Sequence, residues 1–240
     1  MKINAVIFDL DGTILDTERL NAVVAGEILG EMGHEMPDFM QWYSDNCRGH
    51  SIVRNVRLFQ KVFNFTTDEA DFVARVRALR KTYVAQFPQP IKAGAVELFD
   101  FLRAQKIKMG IASGAFVPDI ISKLQSAGIS PEFFGAVVGG DIVKNPKPDP
   151  ETYFLAMQGL RAKPETTLVI EDSVAGATAG ISAGCRTILC PDVPDPTQKP
   201  NTDKRSNPPE IAGLLATVTT LDEIIDIVRR ANSLDTCPKK

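Results

Sequence analysis

The chain is short of the residues that build thiolate metal sites and disulfide scaffolds. Its four cysteines are Cys47, Cys185, Cys190 and Cys237, and its two histidines are His34 and His50. No CxxC occurs, and only Cys185 and Cys190 are close, as a C-x4-C pair. That argues against zinc held by sulfur and imidazole, and reduced thiols in a cytoplasmic protein are expected. Charge of one sign is also missing, since 27 Lys and Arg meet 30 Asp and Glu for a net of −3. Nucleic acid and anionic membranes both require a basic face, so neither is an expected partner. No apolar run approaches the roughly 18 residues of a membrane span. The apolar start Ile3–Phe8 meets Asp9 too early for a signal peptide.

What remains is an ordinary globular composition of 240 residues, 44% hydrophobic and 24% charged, with 17 glycines and 16 prolines. Such a length corresponds to about 1.6 domains. Short apolar runs at 3–8, 107–112, 136–138, 167–170 and 187–190 read as buried parallel strands. Helical patterns lie between them: Val96, Leu98, Phe99 and Leu102 before the second run, Ile120, Ile121 and Leu124 after it. The alternation predicts an α/β fold, a Rossmann-like parallel sheet with right-handed crossovers.

One stretch departs from this rhythm. From Thr17 to about Phe87 the pattern is helical throughout, with Leu20, Val23, Val24 and Ile28 on one face and Phe72, Val73, Val76, Leu79 and Tyr83 on another. Thr66-Thr67-Asp68-Glu69 supplies capping chemistry before the second of these stripes. Some 70 helical residues are too many for a single crossover, so an inserted all-helical subdomain is expected over 17–88, with the α/β core formed by 1–16 plus 89–240. The proline-rich stretch 191–209 reads as an exposed loop before a last helix at 221–231.

In an open parallel sheet, ligands bind beyond the carboxyl ends of the strands. Asp9, Asp11, Gly12 and Thr13 follow the first run, and Ser113 and Gly114 follow the second. Lys147 follows the third, and Glu171, Asp172 and Ser173 follow the fourth. Several carboxylates near one point demand a cation, and oxygen donors without clustered histidines point to Mg²⁺. Ser113 and Lys147 add a hydroxyl and a positive charge suited to phosphate oxygens. A carboxylate beside a held phosphate can act as nucleophile and form an acyl phosphate, and a second one can serve as general acid and then base.

Each residue alone also admits a plainer reading. Asp9-Leu10-Asp11-Gly12 suits a strand-end turn, and Ser113-Gly114 suits a helix entry. Lys147 lies in a proline-rich loop where a solvated lysine is ordinary, and Glu171-Asp172-Ser173 suits a helix cap.

Asp9-Leu10-Asp11-Gly12-Thr13, Ser113, Lys147-Pro148-Asp149-Pro150 and Glu171-Asp172-Ser173 resemble, in order and approximate spacing, the four motifs of the haloacid dehalogenase superfamily. The helical insertion is similar to the mobile cap of its β-phosphoglucomutase-like and phosphoglycolate-phosphatase-like branch. The resemblance implies that Asp9 is the nucleophile and Asp11 the general acid/base. It places Asp9, the Asp11 backbone carbonyl and Asp172 on Mg²⁺, with Glu171 outside that shell. Ser113, Gly114 and Lys147 would hold the phosphoryl group, Lys147 also countering the charge around Asp9, and Arg48 would meet the substrate from a cap loop.

A phosphatase acting on a small sugar or polyol phosphate is therefore expected, as a monomer or small homo-oligomer. Asp11 separates it from dehalogenases, which lack the second aspartate of the first motif. A sugar-phosphate mutase is the alternative. Mutases of that kind resemble one another in a Lys-Gly-x-x-Arg cap loop and a lysine after the motif-two serine, where this chain has Arg48-Gly49-His50-Ser51-Ile52 and Ser113-Gly114-Ala115-Phe116. A non-catalytic phospholigand-binding regulator is a further alternative, against which the intact Asp9, Asp11, Lys147 and Asp172 speak. Phe39, Trp42 and Tyr43 are expected to pack helices rather than stack a sugar.

Overall fold

The computed structural model describes residues 2–47, 52–191 and 211–233. Arg48, Gly49, His50, Ser51, Cys237 and nearly all of the proline-rich stretch lie outside the described residues. The chain divides into two compact units, one formed by Met1–Leu15, Pro90–Pro191 and the described C-terminal residues, the other by Asp16–Gln89.

Among the described residues the first unit is built on six parallel strands: β1 (Ala5–Phe8), β2 (Lys108–Ala112), β3 (Ala136–Val138), β4 (Thr167–Glu171), β5 (Arg186–Leu189) and β6 (Ala216–Thr217). Their order is β3-β2-β1-β4-β5-β6. The chain runs outward from β1 through β2 to β3, then returns to the other side of β1 for β4. Ladder pairs such as Phe8 with Ile111 and Phe8 with Ile170 bring the carboxyl ends of β1, β2 and β4 level. This reversal is the crevice where open α/β sheets bind their ligands.

Burial on both faces explains why the strands read as continuous apolar runs. Val6 and Phe8 enter one cluster with Leu98, Leu102, Ile120, Leu124, Ile224 and Val228. Those residues come from α5 (Ala95–Ala104), α6 (Val117–Ser126) and α9 (Glu223–Ser233). Ala5 and Ile7 enter the opposite cluster with Tyr153, Ala156, Leu160 and Ala179, supplied by α7 (Glu151–Leu160) and α8 (Val174–Ser182). Each fully buried aliphatic side chain contributes about 1.5–3 kcal/mol. Val96 is the exception to the expected α5 stripe, for it faces solvent at 49% exposure.

The second unit contains α1 (Thr17–Glu31), α2 (Phe39–Asn46), α3 (Ile52–Phe63) and α4 (Glu69–Gln86). Asp68 caps α4 by accepting from the N–H groups of Ala70 and Asp71. Leu20, Val24, Ile28, Tyr43, Val56, Phe59, Phe72, Val73 and Val76 form its core. Phe39, Trp42 and Tyr43 pack with Phe59 in that core, as expected for helix packing. No helix among the described residues is long and apolar enough to cross a membrane.

Candidate active site

Asp9 follows β1 directly, and its N–H donates to the carbonyl of Ile170, which extends the β1–β4 ladder. The chain then doubles back, with Gly12 N–H donating to the Leu15 carbonyl and Ile14 N–H to that of Leu10. The tight return needs Gly12 at a φ of +88°, in the left-handed region. A Cβ at Gly12 would also overlap the Asp172 carboxylate. Asp172, just past β4, therefore lies against the Asp9–Asp11 loop.

Lys147 sits at the centre. Its ammonium donates to Asp9 Oδ1 at 2.6 Å, Glu171 Oε1 at 2.6 Å and the Ala112 carbonyl at 2.8 Å. A lysine has three N–H donors, and all three are used. The Tyr153 ring lies 5.1 Å from the same nitrogen. Lys147 is not the solvated lysine its loop composition permits, because the loop is stapled: Glu151, at the start of α7, accepts from the N–H groups of Lys144 and Asn145. Those two bonds, Lys144 first, hold the Glu151 carboxyl below its usual range.

Glu171 is wholly buried. It accepts from Lys147 and from the Tyr153 hydroxyl (2.7 Å) on one oxygen, and from the Ser173 hydroxyl (2.9 Å) on the other. A buried charge is tolerated only when paired and bonded in this way. Ser173 in turn accepts from Gly176 N–H and caps α8. Ser113 follows β2, donates its N–H to the Val138 carbonyl and accepts from Ala115 N–H on its hydroxyl. A Cβ on Gly140 would clash with the Gly114 carbonyl, so the turns after β2 and β3 lie against each other. Asp141, beyond β3, accepts from Val117 N–H at the start of α6.

Asp11 points to a partner that sequence reasoning did not find. Lys123, on α6, donates to both of its carboxylate oxygens, at 2.7 and 2.6 Å. Lys123 follows Ser113 by ten residues on a helix, with no motif around it to flag its role. Tyr153 was equally hidden, since an aromatic on an apolar helix face reads as core.

The electrostatics follow from burial. Burial pushes the Asp9 carboxyl up to about 7; Lys147 opposes the rise, while Glu171 and Asp11 add to it. Burial works against the Lys147 charge too, but Asp9 and Glu171 outweigh it and hold the ammonium above the usual lysine range. Among the described residues no three His, Cys, Asp or Glu side chains group as a ready metal cage. The donors at the β1 and β4 ends are instead two carboxylates, Asp9 and Asp172, and backbone oxygen. This set fits a hard cation such as Mg²⁺, which seldom uses an all-protein cage and keeps water and substrate in its shell.

Fold and site together define a parallel α/β protein with carboxylates, a lysine and a hydroxyl gathered at its topological switch point. Residues 3–184 match the family model of the haloacid dehalogenase-like hydrolases. The chain belongs to that family and is an enzyme of the hydrolase class. It is 28% identical over 184 residues to a phosphorylated carbohydrates phosphatase of Thermotoga maritima, covering 77% of this chain and 83% of that one. It is 27% identical over 204 residues to the protein CbbY of Rhodobacter capsulatus, covering 80% and 86%. Among solved structures, a HAD family hydrolase of Deinococcus radiodurans with bound phosphate and sodium aligns at a TM-score of 0.74 and 26% identity, over 95% of this chain and 96% of that one.

Proposed function

We propose that the chain is a Mg²⁺-dependent phosphatase that hydrolyses a small phosphorylated metabolite, a sugar or polyol phosphate, through an aspartyl-phosphate. The observation that carries this reading is the Lys147 ammonium bound to Asp9 at the level of Ser113 and Asp172. The Thermotoga maritima relative, named for phosphorylated carbohydrates, supports the substrate class.

The Asp9 carboxylate attacks phosphorus, and the bond from phosphorus to the ester oxygen breaks. The leaving oxygen keeps the electron pair and takes a proton from the Asp11 carboxyl. Asp11, now ionised, removes a proton from water as that water attacks the aspartyl-phosphate, which returns Asp9 and releases phosphate. The Ser113 hydroxyl holds a phosphoryl oxygen, and the positive charge of Lys147 beside Asp9 stabilises the negative charge on the transferring group. Asp9, Asp172 and the Asp11 carbonyl would hold Mg²⁺, which when bound supplies positive charge to the phosphoryl oxygens. We assign the helical unit the part of the cap, selecting the substrate.

The test is phosphate release from a panel of sugar and polyol phosphates with Mg²⁺, with EDTA, and with the Asp9→Asn variant, beside an assay for isomerisation of β-glucose 1-phosphate. Release that needs both Mg²⁺ and Asp9 is expected. Isomerisation faster than release would make the chain a mutase, and metal-independent or absent turnover across the panel would overturn the reading.

A further inference from the structure

Lys123 lies outside every motif that the hydrolase chemistry uses, yet it grips both oxygens of Asp11 at 2.7 and 2.6 Å. Both side chains are partly shielded from water, Lys123 more than Asp11. They come from different parts of the chain, 112 residues apart, so the pair is tertiary in origin.

A carboxylate has about four lone-pair positions. A two-point contact with one ammonium takes one on each oxygen and leaves one on each. The carboxylate plane is thereby fixed while both oxygens keep a lobe for a leaving oxygen or a water. A single-oxygen contact would leave the group free to swing about it. Asp11 needs such a hold because a general acid transfers its proton only along a defined line to the leaving oxygen. Lys147 cannot serve, since its three donors are spent on Asp9, Glu171 and Ala112.

We infer that Lys123 is a positioning residue that sets the Asp11 carboxyl for proton transfer to the leaving oxygen. Its effect passes through Asp11, whose two carboxylate oxygens it holds. The assignment rests on the phosphatase reading above and adds a residue to it.

An ester with a poor leaving group needs that proton, whereas p-nitrophenolate departs nearly without it. We therefore expect Lys123→Met to lower kcat/KM for the best alkyl phosphate of the panel at least tenfold more than for p-nitrophenyl phosphate. The comparison uses kcat/KM because it reports steps up to departure of the leaving group. Lys123→Arg, which keeps a two-point cation, should recover most of the alkyl-phosphate rate. Thermal melting of all three proteins separates misfolding from misplacement. Equal losses on the two esters, no loss on either, or an Arg variant as impaired as the Met variant would overturn the assignment while leaving the phosphatase reading intact. A wild-type protein that cleaves neither ester would sink both.

Discussion

At the scale of single residues, the site is governed by hydrogen-bond valence and burial. Lys147 has three donors for three acceptors, and Glu171 is ringed by Lys147, Tyr153 and Ser173. Asp9, by contrast, is driven upward by burial, to about 7, from a value near 3.8. Between those two values the folded chain holds a proton that the unfolded chain has released, so this stabilising difference is present at low pH and is lost as pH rises through about 7. The metal-free protein should thus lose Tm through this group as pH rises from near 3.8 to about 7, and Asp9→Asn should flatten that part of the slope. Scanning calorimetry of the two proteins across the range checks it, and identical slopes would show that Asp9 does not titrate there. Asp9, Ser113, Lys147 and Asp172 were legible as chemistry because each follows an apolar run directly or in the next loop. Lys123 and Tyr153 were not, because a helix turns every residue type to some face and only the packing says which face meets the site.

At the scale of elements, α8 shows how close packing sets the site. Ser173 caps the helix and also bonds Glu171, so one side chain starts the helix and restrains the charge behind Lys147. Gly176 makes this possible, since a Cβ there would overlap the Glu171 carboxylate. Glycine in a helix interior ordinarily costs about 1 kcal/mol relative to alanine, so helix propensity alone favours Gly176→Ala. We expect the reverse: the substitution should displace Glu171, lower stability by about 1–3 kcal/mol through lost buried hydrogen bonds, and reduce phosphate release at least tenfold. Urea unfolding together with the phosphate assay would check both effects. The long strands were visible as apolar runs buried on both faces. The two-residue β6 was not, because Ala216 and Thr217 are too few to show a period. Within α5, Val96 extended an apolar pattern by one residue that the helix in fact turns to solvent.

At the scale of the whole molecule, strand order does the assembling. Asp9 and Lys147 are 138 residues apart, and Lys147 and Glu171 are 24 apart. They meet because β2 and β4 flank β1 and their carboxyl ends are level. A cation bound there favours the folded chain by mass action, by about 2.7 kcal/mol at one hundred times its Kd. Mg²⁺ should accordingly raise Tm, EDTA should reverse the rise, and Asp172→Asn should remove most of the response. A Tm indifferent to Mg²⁺ in the wild-type protein would count against the cation site.

The sequence by itself determined the α/β class, the helical stretch that interrupts it, and the polar residues that end the strands. These are local facts: apolar periodicity reports which faces are buried, and an acid or hydroxyl after a strand has few other places to be. Beyond the Lys147–Asp9 pairing that the motif resemblance implied, only the tertiary structure decided which partners those residues take. Lys147 chose Asp9 and Glu171 over solvent because a stapled loop carries it there, and Asp11 met Lys123 because α6 packs beside the first loop. Pairing of that kind depends on distances between segments far apart along the chain, which no spacing in the sequence encodes.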